Sequence, residues 1–230
     1  MRAMESLSLL DADPLLLAGL DEESRASAEQ ALQVPMMRLA SGPWTPPAEG
    51  EEGLAYLVLS GMLLRRVRIE GGRSVELLAV GDCLLPWREE TASFSHSEWH
   101  VVDHSRLAVL DLRPGSPLAR WPALTASIAG RAIDRSRSLA VQSAIMSVVG
   151  IEERLHALLW ALAERWGKVV PGGAELEVNV PQSVLAEMIG ARRPTVSQAL
   201  GSLEERGLLS SPRPGRWMLR GSPPPSAAGA

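Results

Sequence analysis

With 230 residues the chain can bury one large core or two ordinary ones. A formal net charge of -4 excludes a surface coated in basic patches, so any cationic face for a nucleic acid has to be local. The single cysteine, Cys83, excludes an intramolecular disulfide framework and any cluster held by several thiolates of one chain. No apolar run approaches the roughly 20 residues that span a bilayer, and the start lacks a basic region followed by a cleavage site. A cytoplasmic protein without a membrane partner is expected.

Residues 13–33 predict a short helical entry, with Leu15, Leu16, Leu17 and Leu20 ahead of an acidic turn at Asp21, Glu22 and Glu23. Past Val34 the pattern changes to short apolar runs at 54–60, 62–69, 75–80, 99–102 and 107–112, broken at Ser60-Gly61, Gly71-Gly72 and Gly81-Asp82. Five or more short strands at this spacing predict an antiparallel roll or barrel. Residues 41–53 hold three prolines and predict a surface loop.

His96, His100 and His104 would share one face of a helix and suit a metal there. Trp99, Val101 and Val102 make the stretch read as a strand, where that periodicity is lost, and no metal site is expected. Cys83, His96, Ser97 and Asp103 are the residues from which an enzyme could be built on the roll. No nucleophile elbow, glycine-rich phosphate loop or metal-ligand motif accompanies them, so no catalytic residue and no enzymatic activity are expected.

From Pro122 to about Val149 the signal becomes helical, and Leu124, Ile128, Ala132, Arg135, Leu139, Gln142, Ile145 or Met146, and Val149 lie on one stripe of near-heptad period. About 28 helical residues extend some 42 Å, more than a small roll can cover. The stripe is therefore predicted to meet a second copy of itself, with Leu124, Ile128, Arg135, Leu139, Gln142, Ile145 and Val149 as the dimer interface. Residues 151–166 follow as an amphipathic helix with Leu155, Leu158, Leu159, Leu162 and Trp166 inward.

Residues 180–217 read as helix, tight turn, second helix and basic hairpin, a winged helix-turn-helix. Val184, Leu185, Met188 and Ile189 form the apolar face of the first helix, and Gly190 ends it. Arg193 and Pro194 open the second helix, where proline is tolerated because its missing N–H would be unpaired anyway. Val196, Leu200 and Leu203 face inward, which leaves Arg192, Arg193, Thr195, Ser197, Gln198 and Ser202 outward or on the flanks. These side chains, Gln182 at the start of the first helix, and the wing arginines Arg213 and Arg216 are the expected contacts to double-stranded DNA. A winged helix that binds protein would present an apolar outward face. Residues 151–220 carry nine Lys plus Arg against eight Asp plus Glu, so non-specific affinity should be modest.

Roll, long helix and winged helix-turn-helix in this order resemble the CRP/FNR family of bacterial transcription regulators, from about Leu15 to Leu219. The strongest match is IGARRPTVSQALGSLEERGLL, similar to the family's recognition-helix signature at Gly190, Arg193, Thr195, Val196, Ser197, Leu200, Leu203, Gly207 and Leu208. The resemblance implies an α+β chain with a cyclic-nucleotide-binding-like β-roll at 1–118, a dimerisation helix at 119–149 and the DNA-binding domain at 150–220, while the polar, proline-rich composition of 221–230 predicts a disordered tail. It implies a cytoplasmic homodimer on a pseudo-palindromic operator. Activation would add a surface for RNA polymerase, which no local pattern identifies.

Many members read bases with an Arg-Glu pair and a later Arg. Arg193 matches the first, but Pro194 stands in the Glu position and Gln198 in that of the second Arg. The docking geometry is expected to transfer and the best-known target sequence is not. In the effector pocket Leu85 and Pro86 fall where a Gly-Glu pair binds ribose, His96-Ser97 where Arg-Ser binds phosphate, and Leu139 and Ala140 where a polar pair reaches adenine. Histidine is mostly neutral at pH 7 and lacks a guanidinium fork. Cyclic AMP and cyclic GMP are therefore not expected as effectors. No cofactor is assigned; the alternative is a regulator of the same fold that senses haem, through Cys83 or a histidine, or another non-nucleotide ligand. Residues 86–97 look like an enlarged polar cassette loop.

Overall fold

The computed structural model describes residues 5–47, 54–85, 93–178, 180–213 and 215–224, the side chains of Leu17 and Ala18 excepted. Within these the chain folds as two compact units, Met1–Ser136 and Arg137–Ala230. The first runs β1 (Glu5–Ser8), α1 (Leu9–Ala12), a 3-10 turn (Pro14–Gly19), α2 (Glu22–Ala31), β2 (Gln33–Leu39), β3 (Gly42–Trp44), β4 (Leu54–Ile69), β5 (Gly72–Leu78), β6 (Cys83–Leu84), β7 (His96–Asp111), a second 3-10 turn (Pro117–Arg120) and the start of α3 (Pro122–Met146). The acidic turn of the sequence is the start of α2: the Asp21 carboxylate accepts the Ser24 N–H at 2.8 Å, a side-chain cap on an otherwise orphan donor.

The strands form an antiparallel seven-stranded sheet ordered β1-β2-β7-β4-β5, with β3 paired to β7 and β6 to β4. The five apolar runs fall on three of these seven strands, two of which are longer than the runs suggest. Runs 54–60 and 62–69 are one strand, β4, and runs 99–102 and 107–112 both belong to β7. The Ser60-Gly61 break is a bulge and not a turn: the β4·β7 register shifts on either side of it, and Gly61 sits at φ +86°. A Cβ there would lie 2.3 Å from Ser105 Oγ and 2.5 Å from the His104 carbonyl oxygen. Ser105 is buried; its hydroxyl accepts the Met62 N–H at 3.0 Å and donates to the Asp103 carbonyl at 2.7 Å. The expected loop at 41–53 contains β3, and its residues 48–53 lie outside those described. The 86–97 segment is described only from residue 93, and β7 begins at His96.

Alternation along β4 sends Ala55 and Leu57 to one face and Tyr56 and Val58 to the other. The first pair joins a core with Leu9, Leu16, Cys83, Ala108 and Leu110, and the second joins Leu63, Leu78, Leu84, Val101 and Leu107 inside the roll.

The long helix turns a different face outward from the one expected. Leu124 and Ile128 are buried in the first unit's own core, alongside Leu118 and Trp121. Arg131 Nη1 donates to the Asp13 carboxylate and to the Gly81 carbonyl, and Arg135 clasps Glu76 through Nε at 2.5 Å and Nη2 at 2.8 Å. In the second unit Ile145 is buried, while Leu139 and Gln142 are half-buried. Ala126, Ala129, Ile133, Ala140 and Ala144 are exposed, Ile133 at 54%. At about 100° per residue these five fall within a sector of about 60° opposite the Leu124–Ile128 stripe. The stripe of large apolar residues thus serves each unit's own interior. Val149 lies beyond the helix, which ends at Met146, and is 90% exposed in the turn that follows.

The second unit holds α4 (Ile151–Trp166), β8 (Lys168–Val170), β9 (Gly173–Leu176), α5 (Gln182–Met188), α6 (Arg193–Glu205), β10 (Leu209–Arg213) and β11 (Arg216–Arg220). Its sheet is ordered β10-β11-β9-β8, so the hairpin after α6 is backed by two further strands that carry no clear signal in the sequence.

Gly61→Ala is expected to destabilise the protein by about 1–3 kcal/mol, because it adds a positive-φ side chain against backbone. Urea denaturation followed by tryptophan fluorescence checks this; an unchanged midpoint would refute it.

Candidate nucleic-acid interface and effector pocket

The helix-turn-helix is built on α4. Val184, Leu185, Ala186 and Met188 of α5 and Val196, Ala199, Leu200 and Leu203 of α6 are buried, as are Leu155, Leu158, Leu159 and Leu162 of α4. Between α5 and α6 the chain reverses at Gly190, φ +66°, a left-handed position that suits glycine. Arg154 of α4 holds the reversal: Nε donates to the Val148 carbonyl at 2.7 Å and Nη1 to the Ile189 carbonyl at 3.4 Å, the latter an orphan acceptor at the end of α5.

The two halves of α6 differ. Towards its C-terminus it is tied to α4: Ser202 donates to Glu152, and Arg206 pairs with the same carboxylate. Those two bonds, Ser202 first, hold the Glu152 carboxyl below its ordinary range. Ser202 is therefore turned to α4 rather than outward, and it is spoken for. Towards its N-terminus α6 exposes Arg192, Arg193, Thr195, Ser197 and Gln198 together. Arg192 is the N-cap residue and makes no side-chain cap, so the first-turn N–H groups face outward without one. Two guanidiniums beside uncapped amides make a cradle for a phosphate, and Ser197 and Gln198 one turn on present short polar groups at base-edge reach. Gln182 is half-buried in the first turn of α5.

The wing is neutralised. Arg213 Nη2 meets Glu177 at 2.9 Å, and Arg216 pairs with Glu175 and lies 3.7 Å from Glu177. Arg216 is the main cause holding the Glu175 carboxyl below its ordinary range. Both glutamates belong to the segment of β9 and the residue after it, which a reading of the hairpin alone does not bring near the wing. A phosphate at this edge has to compete with carboxylates already in place.

The residues matched to the effector pocket are dispersed. Leu85 packs on the first unit's core, and Pro86 lies outside the described residues. His96 is exposed and faces Glu98 at 3.6 Å. The Ser97 hydroxyl accepts from Arg65 Nε at 3.1 Å, and the Arg65 guanidinium lies over the Trp99 ring and 3.8 Å from Glu76. Leu139 and Ala140 belong to the second unit, half-buried and exposed respectively. Glu76, 7% exposed in its side chain, therefore gathers Arg65, its cross-strand partner in the β4–β5 pair, and Arg135, which stands 59 residues away and cannot be paired with it by pattern. Neighbouring rings of Trp44, Tyr56 and Trp99 meet edge to face at 6.0 and 6.5 Å. The residues weighed for an enzyme are engaged elsewhere: burial pushes the Cys83 thiol up to about 12, and Asp103 accepts the His104 N–H. His96, His100 and His104 lie along β7, as the strand reading required.

A sheet roll, a long helix and a winged helix-turn-helix in that order define a class of proteins that join a roll domain to a helix-turn-helix domain. Residues 153–220 match the family model of the Crp-like helix-turn-helix domain. The structure is similar to a cyclic nucleotide-binding domain containing protein from Listeria monocytogenes EGD-e, with TM-score 0.63 and 16% identity over 80% of this chain and 88% of that one. It is similar to a CooA mutant from Carboxydothermus hydrogenoformans, with TM-score 0.61 and 20% identity over 81% and 83% of the two chains. It is also similar to FixK2 from Bradyrhizobium japonicum, with TM-score 0.60 and 16% identity over 82% and 93%. No curated protein matches the chain in sequence. The C-terminal domain thus matches the Crp-like helix-turn-helix domain, and the chain as a whole has the fold of the CRP/FNR regulators.

Two outcomes follow from the ion pairs and the half-buried imidazole of His156. Glu76→Gln removes the carboxylate that Arg135 clasps and is expected to cost about 3–5 kcal/mol, read as a lower denaturation midpoint; a change within 0.5 kcal/mol, of the order of ordinary surface substitutions, would contradict the clasp. His156 is pushed below its ordinary range by burial first and Arg206 second, with Glu152 opposing, and its Nε2 accepts from Trp160 Nε1 at 3.0 Å. The neutral imidazole is the folded form, so the stability it gives is complete above the unfolded value of about 6.5 and is lost as pH falls through the lower folded value. Thermal melts between pH 7.5 and pH 5 should show a steeper loss for the native protein than for His156→Gln; equal slopes would dismiss this role.

Proposed function

We propose that the protein is a cytoplasmic, homodimeric, sequence-specific DNA-binding transcription regulator that does not answer to cyclic AMP or cyclic GMP. One observation carries the reading: the N-terminal half of α6 stands exposed with Arg192, Arg193, Thr195, Ser197 and Gln198 on one surface, while its C-terminal half is bound to α4. Arg193 takes a base or phosphate acceptor bidentately, Gln198 an adenine edge, and the amides of the first turn a phosphate, with Gln182 flanking on the backbone. Arg213 and Arg216 act mainly in shaping the wing, since Glu177 and Glu175 already occupy them. No helix among the described residues is long and apolar enough to cross a membrane.

The second copy is proposed to lie along Ala126, Ala129, Ile133, Ala140 and Ala144. These are spaced three, four, seven and four residues apart, a heptad-like rhythm of small side chains that lets two backbones approach closely, with Ile133 as the large knob. Pairing two α6 helices by this route suits a pseudo-palindromic operator with half-sites about one helical turn apart. Against cyclic nucleotides stands the environment of the matched positions: Ser97 is held by Arg65, and His96 points to Glu98 at the surface.

An electrophoretic shift on genomic fragments should give a specific complex, and Arg193→Ala should remove about 1–3 kcal/mol of specific affinity. Retained specificity in that variant would refute its role. Ile133→Asp should yield a monomer by light scattering with weakened operator binding, and calorimetric titration should show no uptake of cyclic AMP or cyclic GMP.

A further inference from the structure

In the first unit a cavity of about 410 Å3 lies between β2, the start of β4, the end of β7 and the 3-10 turn Pro117–Arg120. That volume is in the range of small-molecule sites, roughly 300–1,000 Å3. Leu32, Val34, Met37, Leu54, Tyr56 and Leu118 supply an apolar wall. Among the described residues, none of those matched above to a nucleotide pocket lines it.

The polar groups of the wall are asymmetric. Arg113 donates through Nε to Asp111 Oδ1 at 2.8 Å and through Nη2 to Asp111 Oδ2 at 2.6 Å, and the Arg113 backbone N–H adds a third bond to Oδ1 at 3.0 Å. Both oxygens of Asp111 are thus engaged by Arg113, whose side chain is 57% exposed at the rim of the cavity and whose Nη1 takes no partner among the described residues. The spare capacity is a donor on a permanently charged fork, and its natural complement is an anionic oxygen.

From the apolar wall and this spare guanidinium edge we infer that the cavity binds a monocarboxylic acid with an apolar body, the hydrocarbon among Val34, Met37, Tyr56 and Leu118 and the carboxylate on Arg113. The site also adjoins the long helix: Leu118 lines it and shares a buried core with Trp121, Leu124 and Ile128, so an occupant presses on the residues from which α3 springs. Ligand binding here goes beyond the regulator reading and does not depend on it, because it is measured without DNA.

The test is calorimetric titration of the full chain, below micelle-forming concentrations, with decanoate and with decanol as the uncharged probe. Decanoate is expected to bind saturably at one site per chain. Arg113→Ala should weaken decanoate about tenfold and leave decanol unchanged, and Met37→Trp, which fills the cavity, should abolish both while the melting temperature stays near that of the native protein. Absence of saturable decanoate binding, or binding that neither substitution alters, overturns the inference. Failure of DNA binding in a separate shift assay would leave this result standing.

Discussion

The rotation of α3 about its own axis is set by two arginines a helical turn apart, and the rest of the arrangement depends on that setting. Arg131 reaches Asp13 and the Gly81 carbonyl, and Arg135 clasps Glu76 with two bonds. Hydrophobic burial of Leu124 and Ile128 favours the same face but is non-directional, whereas a bidentate guanidinium fixes orientation as well as proximity. With both arginines engaged, Ala126, Ala129 and Ile133 have to face away from the roll. The alanine face is what is left exposed.

A similar division of labour governs α6. Its inward stripe of Val196, Leu200 and Leu203 supplies burial, and the Glu152 contacts with Ser202 and Arg206 fix its C-terminal half. What is left over is the polar N-terminal half, and that remainder is the surface read here as the DNA contact. Because the wing arginines are matched by Glu175 and Glu177, few free cations contribute to a sequence-independent term. Such an interface leans on its few directed contacts, in keeping with nine basic against eight acidic residues in 151–220.

The order of roll, helix and winged helix-turn-helix was legible in the sequence because each part carries its own period: alternating runs, a 3.6-residue stripe, and glycines at Gly190 and Gly207 where positive φ is needed. Strand limits were less legible. Ser60-Gly61 has the composition of a turn, yet Ser105 on the neighbouring strand, far away in sequence, makes it a bulge. The seam proposed on α3 differs from the expected one for a related reason. Both of its stripes repeat at near-heptad spacing, and the one richer in leucine draws attention, but those large side chains fill each unit's own interior and the small ones are left outside. The partners that decide this, Asp13 and Glu76, stand 118 and 59 residues from their arginines, beyond the reach of any local pattern. The wing shows the same limit, since the strand that neutralises it precedes α5.

The most direct measurement is disulfide trapping along α3. Cys83 is fully buried and does not compete, so single cysteines can be introduced as Ala140→Cys on the outward face and Gln142→Cys on the opposite one. Under mild oxidation Ala140→Cys should be captured as a covalent dimer that still shifts operator DNA, and Gln142→Cys should stay monomeric on a non-reducing gel. Efficient capture of Gln142→Cys with none of Ala140→Cys would place the partner on the leucine stripe and contradict the account.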